Sequence, residues 1–451
     1  MKPVISISAI VCAAVVCAAA AANPGSPQAP AHVASGRAPY ATEIRVCSST
    51  AESGAAGFPE SKYIRPITEW ERSADGALSS HFAVPFAWVN RQVTLHVEWA
   101  TSGYVVEIDG KEVASTRSGM VPSDFVITRN VAEGRNEITI RPYTDRSEGV
   151  LLPADGGEFR TGRIYVQSPA AVRVRDIVTR TTMGTDGQAT VEVGIVMKSE
   201  MLNPKDMRIH YELLANDSVR LHNGVRDLTL GMRGEDTVRF AVRVPAAHLW
   251  TLRNPEILRL DVRTQNNGRF LEYETFRFGV SQVAVSDNGL LEINGKPFAL
   301  IVADVEPAAT AEELTALRNQ GYNAVRPRAG IVDRTLYDIC DSIGLYTIAQ
   351  IPVSTAQWGQ SRRVGGNPSN DDRWIESYVD RAEGTYHALK LHPSVVAFSI
   401  AEESSNGICL YETYLRMKSY GDERPMIYDS ADGEWNSDAL YRFSSPAEAG
   451  L

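Results

Sequence analysis

The sequence predicts a multidomain β plus α/β protein: two β-sandwiches followed by an incomplete (β/α)8 barrel. Three observations predict it. Between about Tyr63 and Val283, short segments alternate apolar and polar residues with a period of two, and no helical period intervenes. From Leu291 onward, strand-like and helix-like segments alternate. The chain has 451 residues, too many for one ordinary domain, and 43% of them are hydrophobic, enough for several cores.

The N-terminus reads as an export signal over residues 1–22. Lys2 supplies a positive start, Val4 to Ala22 is an apolar run, and Ala20, Ala21 and Ala22 offer the small residues of a cleavage site before Asn23-Pro24-Gly25. A secreted or periplasmic location follows. Cys12 and Cys17 lie in the apolar run, but valines precede them where a small residue would be needed, so an outer-membrane lipoprotein anchored at Cys17 is the lesser alternative. Residues 23–60 open with a stretch rich in Ala, Pro, Gly and Ser, the composition of a flexible leader.

Residues 61–170 form the first sandwich. Val93, Leu95, Val97 and Trp99 alternate with Thr94, His96 and Glu98, the pattern of a half-buried strand. Tyr104 to Ile108 is a second strand, Asp109-Gly110 a hairpin turn, and Glu137 to Arg141 a third strand. Residues 171–283 form a second sandwich, of immunoglobulin-like size, with alternation over Thr190–Val196, Thr237–Val244 and Leu258–Arg263.

Residues 284–451 change grammar. Thr310 and Glu313 make a capping box, Leu314 and Leu317 the apolar face of the helix it starts, and Gly321 its end. Ala324 to Arg326 is a short strand. Leu336, Ile339, Cys340 and Ile343 fall at helical spacing before Gly344. Leu345 to Ile351 is a strand, Ile375 to Tyr386 a helix, and Val395 to Ile400 a continuous apolar strand of the kind buried in parallel sheets. Met426–Tyr428 and Ala439–Phe443 complete about six strands before Leu451, whereas a closed barrel of this type needs eight. The expectation is an open barrel with unpaired edges through which the chain could form homo-oligomers.

The formal net charge of -10 makes nucleic acid a poor partner. Beyond the signal, Cys47, Cys340 and Cys409 have neither disulfide nor metal spacing, and no nucleotide loop is present, so no cofactor or metal is expected. Glu403 directly follows the fourth parallel strand, the place where barrels carry their chemistry. Trp358 and Trp435 sit in loops at the same end and are candidate ligand-stacking rings, while Trp374 fits a helix-packing role.

Local motifs in this order resemble those of glycoside hydrolase family 2, which includes β-galactosidases, β-mannosidases and β-glucuronidases. In the first sandwich they are Phe82-Ala83-Val84-Pro85 with Trp88, the Tyr104–Lys111 hairpin, and Gly162-Arg163-Ile164-Tyr165-Val166. In the second they are Leu249-Trp250 with Asn254-Pro255 and Leu258, then Arg277-Phe278-Gly279. In the barrel they are Ile293-Asn294-Gly295-Lys296-Pro297, Asn323-Ala324-Val325-Arg326, Tyr337–Asp341 with Gly344-Leu345-Tyr346, His392-Pro393-Ser394-Val395, and Ser399–Ser404. The resemblance implies a jelly-roll-like, sugar-binding-like first sandwich, a carbohydrate partner (a β-linked oligo- or polysaccharide), and hydrolysis of β-glycosides by a retaining mechanism.

Retaining cleavage needs two carboxyl groups about 5 Å apart, one an acid/base and one a nucleophile. The resemblance assigns the acid/base role to Glu403. It makes Arg326, Glu402, Asp304, Glu306 and Gln350 candidate substrate-binding residues, with four departures: Glu402 stands for an asparagine, Gln350 for a glutamate, Ala329 for a histidine, and Asp304 with Glu306 for N-x-H. No nucleophile is identified; Asp429 and Glu434 are the carboxylates near the later strand ends. The expectations are therefore a glycosidase-like chain with impaired or absent turnover, or a non-catalytic carbohydrate-binding protein on a degenerate glycosidase scaffold, or an inactive truncated gene product.

Overall fold

The computed structural model describes residues 27–438 except 56, 89–90, 154–155 and 287. The expected export signal, Cys12, Cys17 and the strand at Ala439–Phe443 lie outside the described residues.

Alternation in the first third resolves into two antiparallel sheets. One orders Ala34–Ser35, Lys111–Thr116, Tyr104–Ile108, Gly134–Pro142, Leu78–Val84 and Glu71–Arg72; the other orders Ile64–Ile67, Ile164–Gln167, Thr94–Val97 and Ser123–Val126. Leu95, Val97, Val106, Phe125, Ile138, Ile140 and Val166 from both sheets make a single core. Asp109 and Gly110 both take positive φ, 48° and 73°, as a tight hairpin turn requires.

The next stretch forms a three-stranded sheet (Val172–Met183, Ala189–Ser199, Glu235–Val244) and a four-stranded one (Val219–Leu230, Lys205–Ala215, Leu258–Asn266, Arg269–Phe278). Their facing side chains, among them Ile177, Val193, Ile195, Ile209, Leu213, Leu260 and Phe276, share a second core.

Five parallel strands follow in sequential order: β1 (Val302–Val305), β2 (Ala324–Pro327), β3 (Tyr346–Gln350), β4 (Val395–Ser399) and β5 (Met426–Ile427). They alternate with α1 (Ala311–Asn319), α2 (Arg334–Ile343), α3 (Ile375–Leu389) and α4 (Ile408–Lys418). Thr310 and Glu313 close the capping box of α1, and Gly344 ends α2 in the left-handed conformation. Side chains alternate across the strands. Ala303, Val305, Val325, Ala349, Ile351, Phe398 and Ile400 face the helices. Ala324, Ile348, Ala397 and Ile427 face the other way and bury Trp250, which reaches in from the second sandwich and donates its Nε1–H to Asp341 O at 3.0 Å.

Residues 27–60 are not a flexible leader. They run as a strap over all three units. Pro27 O accepts the indole N–H of the buried Trp374, and Ala34–Ser35 extends the first sandwich. Arg37 grips Asp380 of α3, Glu43 pairs with Arg334 of α2, and Cys47 bridges to Tyr273 of the second sandwich. The composition suggested a linker, but Arg37, Tyr40 and Glu43 each find a buried partner far along the chain. The strap also corrects the first sandwich: Thr94–Val97 is buried on both faces, because His96 lies under Tyr40 and Glu43 of the strap and contacts Asp124 at 2.9 Å.

Candidate active site

Moving two residues up each parallel strand replaces apolar inward positions with polar ones: Asp304, Arg326, Gln350, Ser399 and, just beyond β5, Asp429. Asp304 and Arg326 are register partners. Arg326 donates through Nε to Asp304 Oδ1 at 3.0 Å and through Nη1 to Asp429 Oδ2 at 2.6 Å, tying β1, β2 and the end of β5 together. Burial opposes its charge, but Asp429 and then Asp304 outweigh it and raise its pKa.

A second charge group sits one layer higher. Arg328 lies 3.6 Å from Glu306 and 3.3 Å from Glu402, and Glu402 Oε2 accepts the backbone N–H of Ala329 at 3.0 Å. Glu402 is therefore engaged by the loop after β2. Arg328 was not among the residues singled out from the sequence, although it stands two positions after Arg326 and so on the same side of the strand.

Glu403 is exposed at the end of β4, and its carboxylate has no hydrogen-bond or ion-pair partner among the described residues. Its backbone is firmly held. Thr355 N–H donates to Glu403 O at 2.6 Å, Glu402 N–H to Val353 O at 2.9 Å, and Tyr428 Oη–H to Ser404 O at 2.5 Å. Asn406 and Asn436 exchange side-chain hydrogen bonds between the β4 and β5 loops.

Two expectations are corrected. Gln350 is buried and spends its amide on Ile351 O at 3.0 Å and Ser399 O at 3.4 Å, so it is not open to a ligand. Trp358 is half-buried, with Nε1–H donated to Val150 O of the first sandwich at 3.2 Å; its ring packs the interface instead of offering a free face. Trp435, by contrast, is 57% exposed and stacks on Tyr411 at 5.1 Å between centroids, with Tyr414 edge-on at 5.8 Å. Beside it the Tyr411 hydroxyl and then Arg362 hold Glu434 below the usual carboxylate range. The buried thiols of Cys340 and Cys409 are pushed up by burial and face no ligand group of that mouth.

Residues 305–446 match the family model described as glycosyl hydrolases family 2, TIM barrel domain. A β-galactosidase of Priestia megaterium is 23% identical over 398 residues, covering 82% of this chain and 37% of that enzyme. The chain thus spans just over a third of the length of the curated relatives it matches. Among solved structures, a glycosyl hydrolase family 2 member from Bacteroides cellulosilyticus superposes with a TM-score of 0.65 at 17% identity, over 78% of this chain and 49% of that one. A Bacteroides uniformis β-glucuronidase does so with a TM-score of 0.64 at 14% identity, over 87% and 52%. In its barrel segment and its fold, this chain is a glycoside hydrolase family 2-like protein.

Proposed function

We propose that the barrel mouth is a site for β-linked carbohydrate in which Glu403 is stationed as the proton donor of a retaining glycosidase, and that this chain by itself binds such sugars without turning them over. The observation that carries the reading is Glu403 itself. It is an unpaired, solvent-facing carboxyl on a pinned backbone at the carboxyl end of β4. Likeness to a β-galactosidase and a β-glucuronidase supports β-glycosides as the ligand class.

The second half of the chemistry is the point at issue. A retaining reaction needs a nucleophilic carboxylate facing the acid. Among the described residues, five other carboxylates at these strand ends are engaged, Asp304 and Asp429 by Arg326, Glu306 and Glu402 by Arg328, Glu434 by Arg362 and Tyr411, whereas Asp432 in the loop after β5 is exposed. Losing a nucleophile removes several orders of magnitude of rate.

The test pairs turnover with binding. Aryl β-galactosides, β-mannosides and β-glucuronides should give no measurable release of aglycone, while titration calorimetry with β-linked oligosaccharides gives binding heat that Trp435→Ala weakens. Turnover that disappears in Glu403→Gln would show that a substitute nucleophile operates. Absence of binding to every β-glycoside would overturn the carbohydrate reading.

A further inference from the structure

Far from the barrel mouth, two carboxyl groups are buried side by side in the second sandwich. Glu272 and Glu274 lie two apart on Arg269–Phe278, so both point to the same face, and they are 1% and 2% exposed. Glu272 has partners. Its Oε1 accepts from Arg91 Nη2 at 2.8 Å and from the backbone N–H of Ala170. Neither oxygen of Glu274 has a protein donor.

The charges around the pair do not balance two carboxylates. Among the described residues, Arg91 is the one cation bonded to them. Arg173 faces Glu272 but is committed to Glu200 at 3.1 Å, and Arg45 on the strap is committed to Glu43 at 2.8 Å. On the strap, the Cys47 thiol feels both carboxyl groups, and Glu52 acts on that thiol. An unpaired buried carboxylate is costly, and two in contact cannot both ionise. Burial, and then Glu272, accordingly push the Glu274 carboxyl well above the ordinary range.

This pair lies under a moving-part candidate. Cys47 pairs with Tyr273 as an isolated antiparallel bridge, with Tyr273 N–H donating to Cys47 O at 3.2 Å. Residues Thr50–Ser53 form one helical turn over the same strand, where Thr275 Oγ1–H donates to Ser53 Oγ at 3.1 Å. Besides these contacts, Gln167 accepts the Val46 N–H at 3.2 Å and donates to Ile44 O at 2.9 Å, and Cys47 beneath this part of the strap is fully buried.

We propose that Glu272 and Glu274 share one proton, that this shared proton latches strap residues 44–53 onto the second sandwich, and that ionisation of Glu274 releases them. In the latched state Glu274 donates to Glu272, leaving one negative charge opposite Arg91. Loss of the proton adds a second negative charge beside Glu272, where Arg91 already serves the first. Opening the strap lets water and Glu274 meet.

Cys47 reports the event. Burial, then Glu52, raise its thiol to about 12 while the strap is closed; released, it regains ordinary thiol reactivity. The experiment is alkylation of the full chain with iodoacetamide across mildly acidic to alkaline pH, with peptide mass spectrometry quantifying Cys47 against Cys340 and Cys409 in the same molecules. The other two buried thiols cancel the intrinsic pH dependence of the chemistry. The ratio of Cys47 labelling to theirs should climb about tenfold per pH unit above the ordinary glutamate pKa of about 4.3, as Glu274 ionises in the released state, and level off once it ionises in the latched state as well. Glu274→Gln, neutral and nearly isosteric, should hold the ratio flat throughout. A flat ratio in the wild type up to alkaline unfolding overturns the latch, and so does an equal climb in Glu274→Gln. Should that variant not fold, the wild-type ratio decides alone.

Discussion

At the scale of single residues, neighbouring positions in the site differ sharply in what holds them. Glu402 is fixed by Arg328 and by the Ala329 amide, whereas Glu403 is fixed only through its backbone. Glu403→Gln should therefore change stability by less than about 0.5 kcal/mol, as exposed substitutions do. A urea midpoint displaced well beyond that would mean the carboxylate is engaged after all. Trp435→Ala should likewise leave the melting curve nearly unmoved while weakening oligosaccharide binding about fivefold to tenfold, the scale of one aromatic contact of about 1–1.5 kcal/mol. Calorimetry and thermal unfolding on the same samples separate the two effects. The sequence located Glu403 because the residue follows an uninterrupted apolar strand. It did not distinguish Trp358 from Trp435, because both lie in loops, and the acceptor that captures Trp358, Val150 O, is 208 residues away.

Elements were the most legible level, because their signals are local. The capping box of α1, the left-handed glycine closing α2 and the Asp109-Gly110 turn are each written within four residues. Gly344 also shows what sequence cannot supply. Its positive φ of 70° explains a glycine by itself, but a Cβ there would also lie 2.4 Å from Leu252 O. Gly344→Ala should then cost more than the roughly 1 kcal/mol of a left-handed alanine, because backbone from the second sandwich must move as well. A loss above about 2 kcal/mol in chemical denaturation is expected for a strained site of this kind; a loss near 1 would show that Leu252 yields freely. Thr94–Val97 failed in the opposite direction. Its alternation reads as one wet face, and only the distant strap makes that face dry.

At the scale of the whole molecule, charged residues sealed between units do the coupling. A β-bulge between Val174 and Asp176 presents the Asp176 carboxylate to Lys390 at the end of α3, with Nζ 2.6 and 2.7 Å from its two oxygens. His387 lies beside them. Burial and then the Lys390 charge push its pKa down to about 4, so the folded chain keeps it neutral while the unfolded chain protonates it near 6.5. The unfolded state thus binds more protons in that window, and stability present above about pH 6.5 is lost as pH falls toward about 4. His387→Gln should flatten this part of the stability profile. An unchanged acid slope in denaturant midpoints would move the effect to other groups.

The strap itself was invisible in the sequence because its partners are hundreds of residues away and its composition matches that of linkers. Arg37 and Asp380 are 343 positions apart, yet they form a two-pronged pair in which Nη1 lies 2.9 Å from Oδ2 and Nη2 bonds Oδ1. Both side chains are almost buried, and the Tyr40 hydroxyl accepts from Nη1 at 2.6 Å. Removing Arg37 leaves the Asp380 carboxyl desolvated, with the Tyr40 hydroxyl at 3.3 Å as its remaining side-chain donor among the described residues. Breaking a buried pair in this way costs about 3–5 kcal/mol, far above the effect of a change in a loose leader. Arg37→Lys should recover only part of it, because an ammonium cannot reach both oxygens in the fork geometry. Arg37→Ala combined with Asp380→Ala should recover more, since no orphan charge remains. Urea unfolding of the wild type, Arg37→Ala, Asp380→Ala and the double variant measures the cycle. If Arg37→Ala alone lowers stability by less than about 0.5 kcal/mol, the strap does not bind the sandwich to the barrel, and residues 27–48 would behave as the linker their composition suggests.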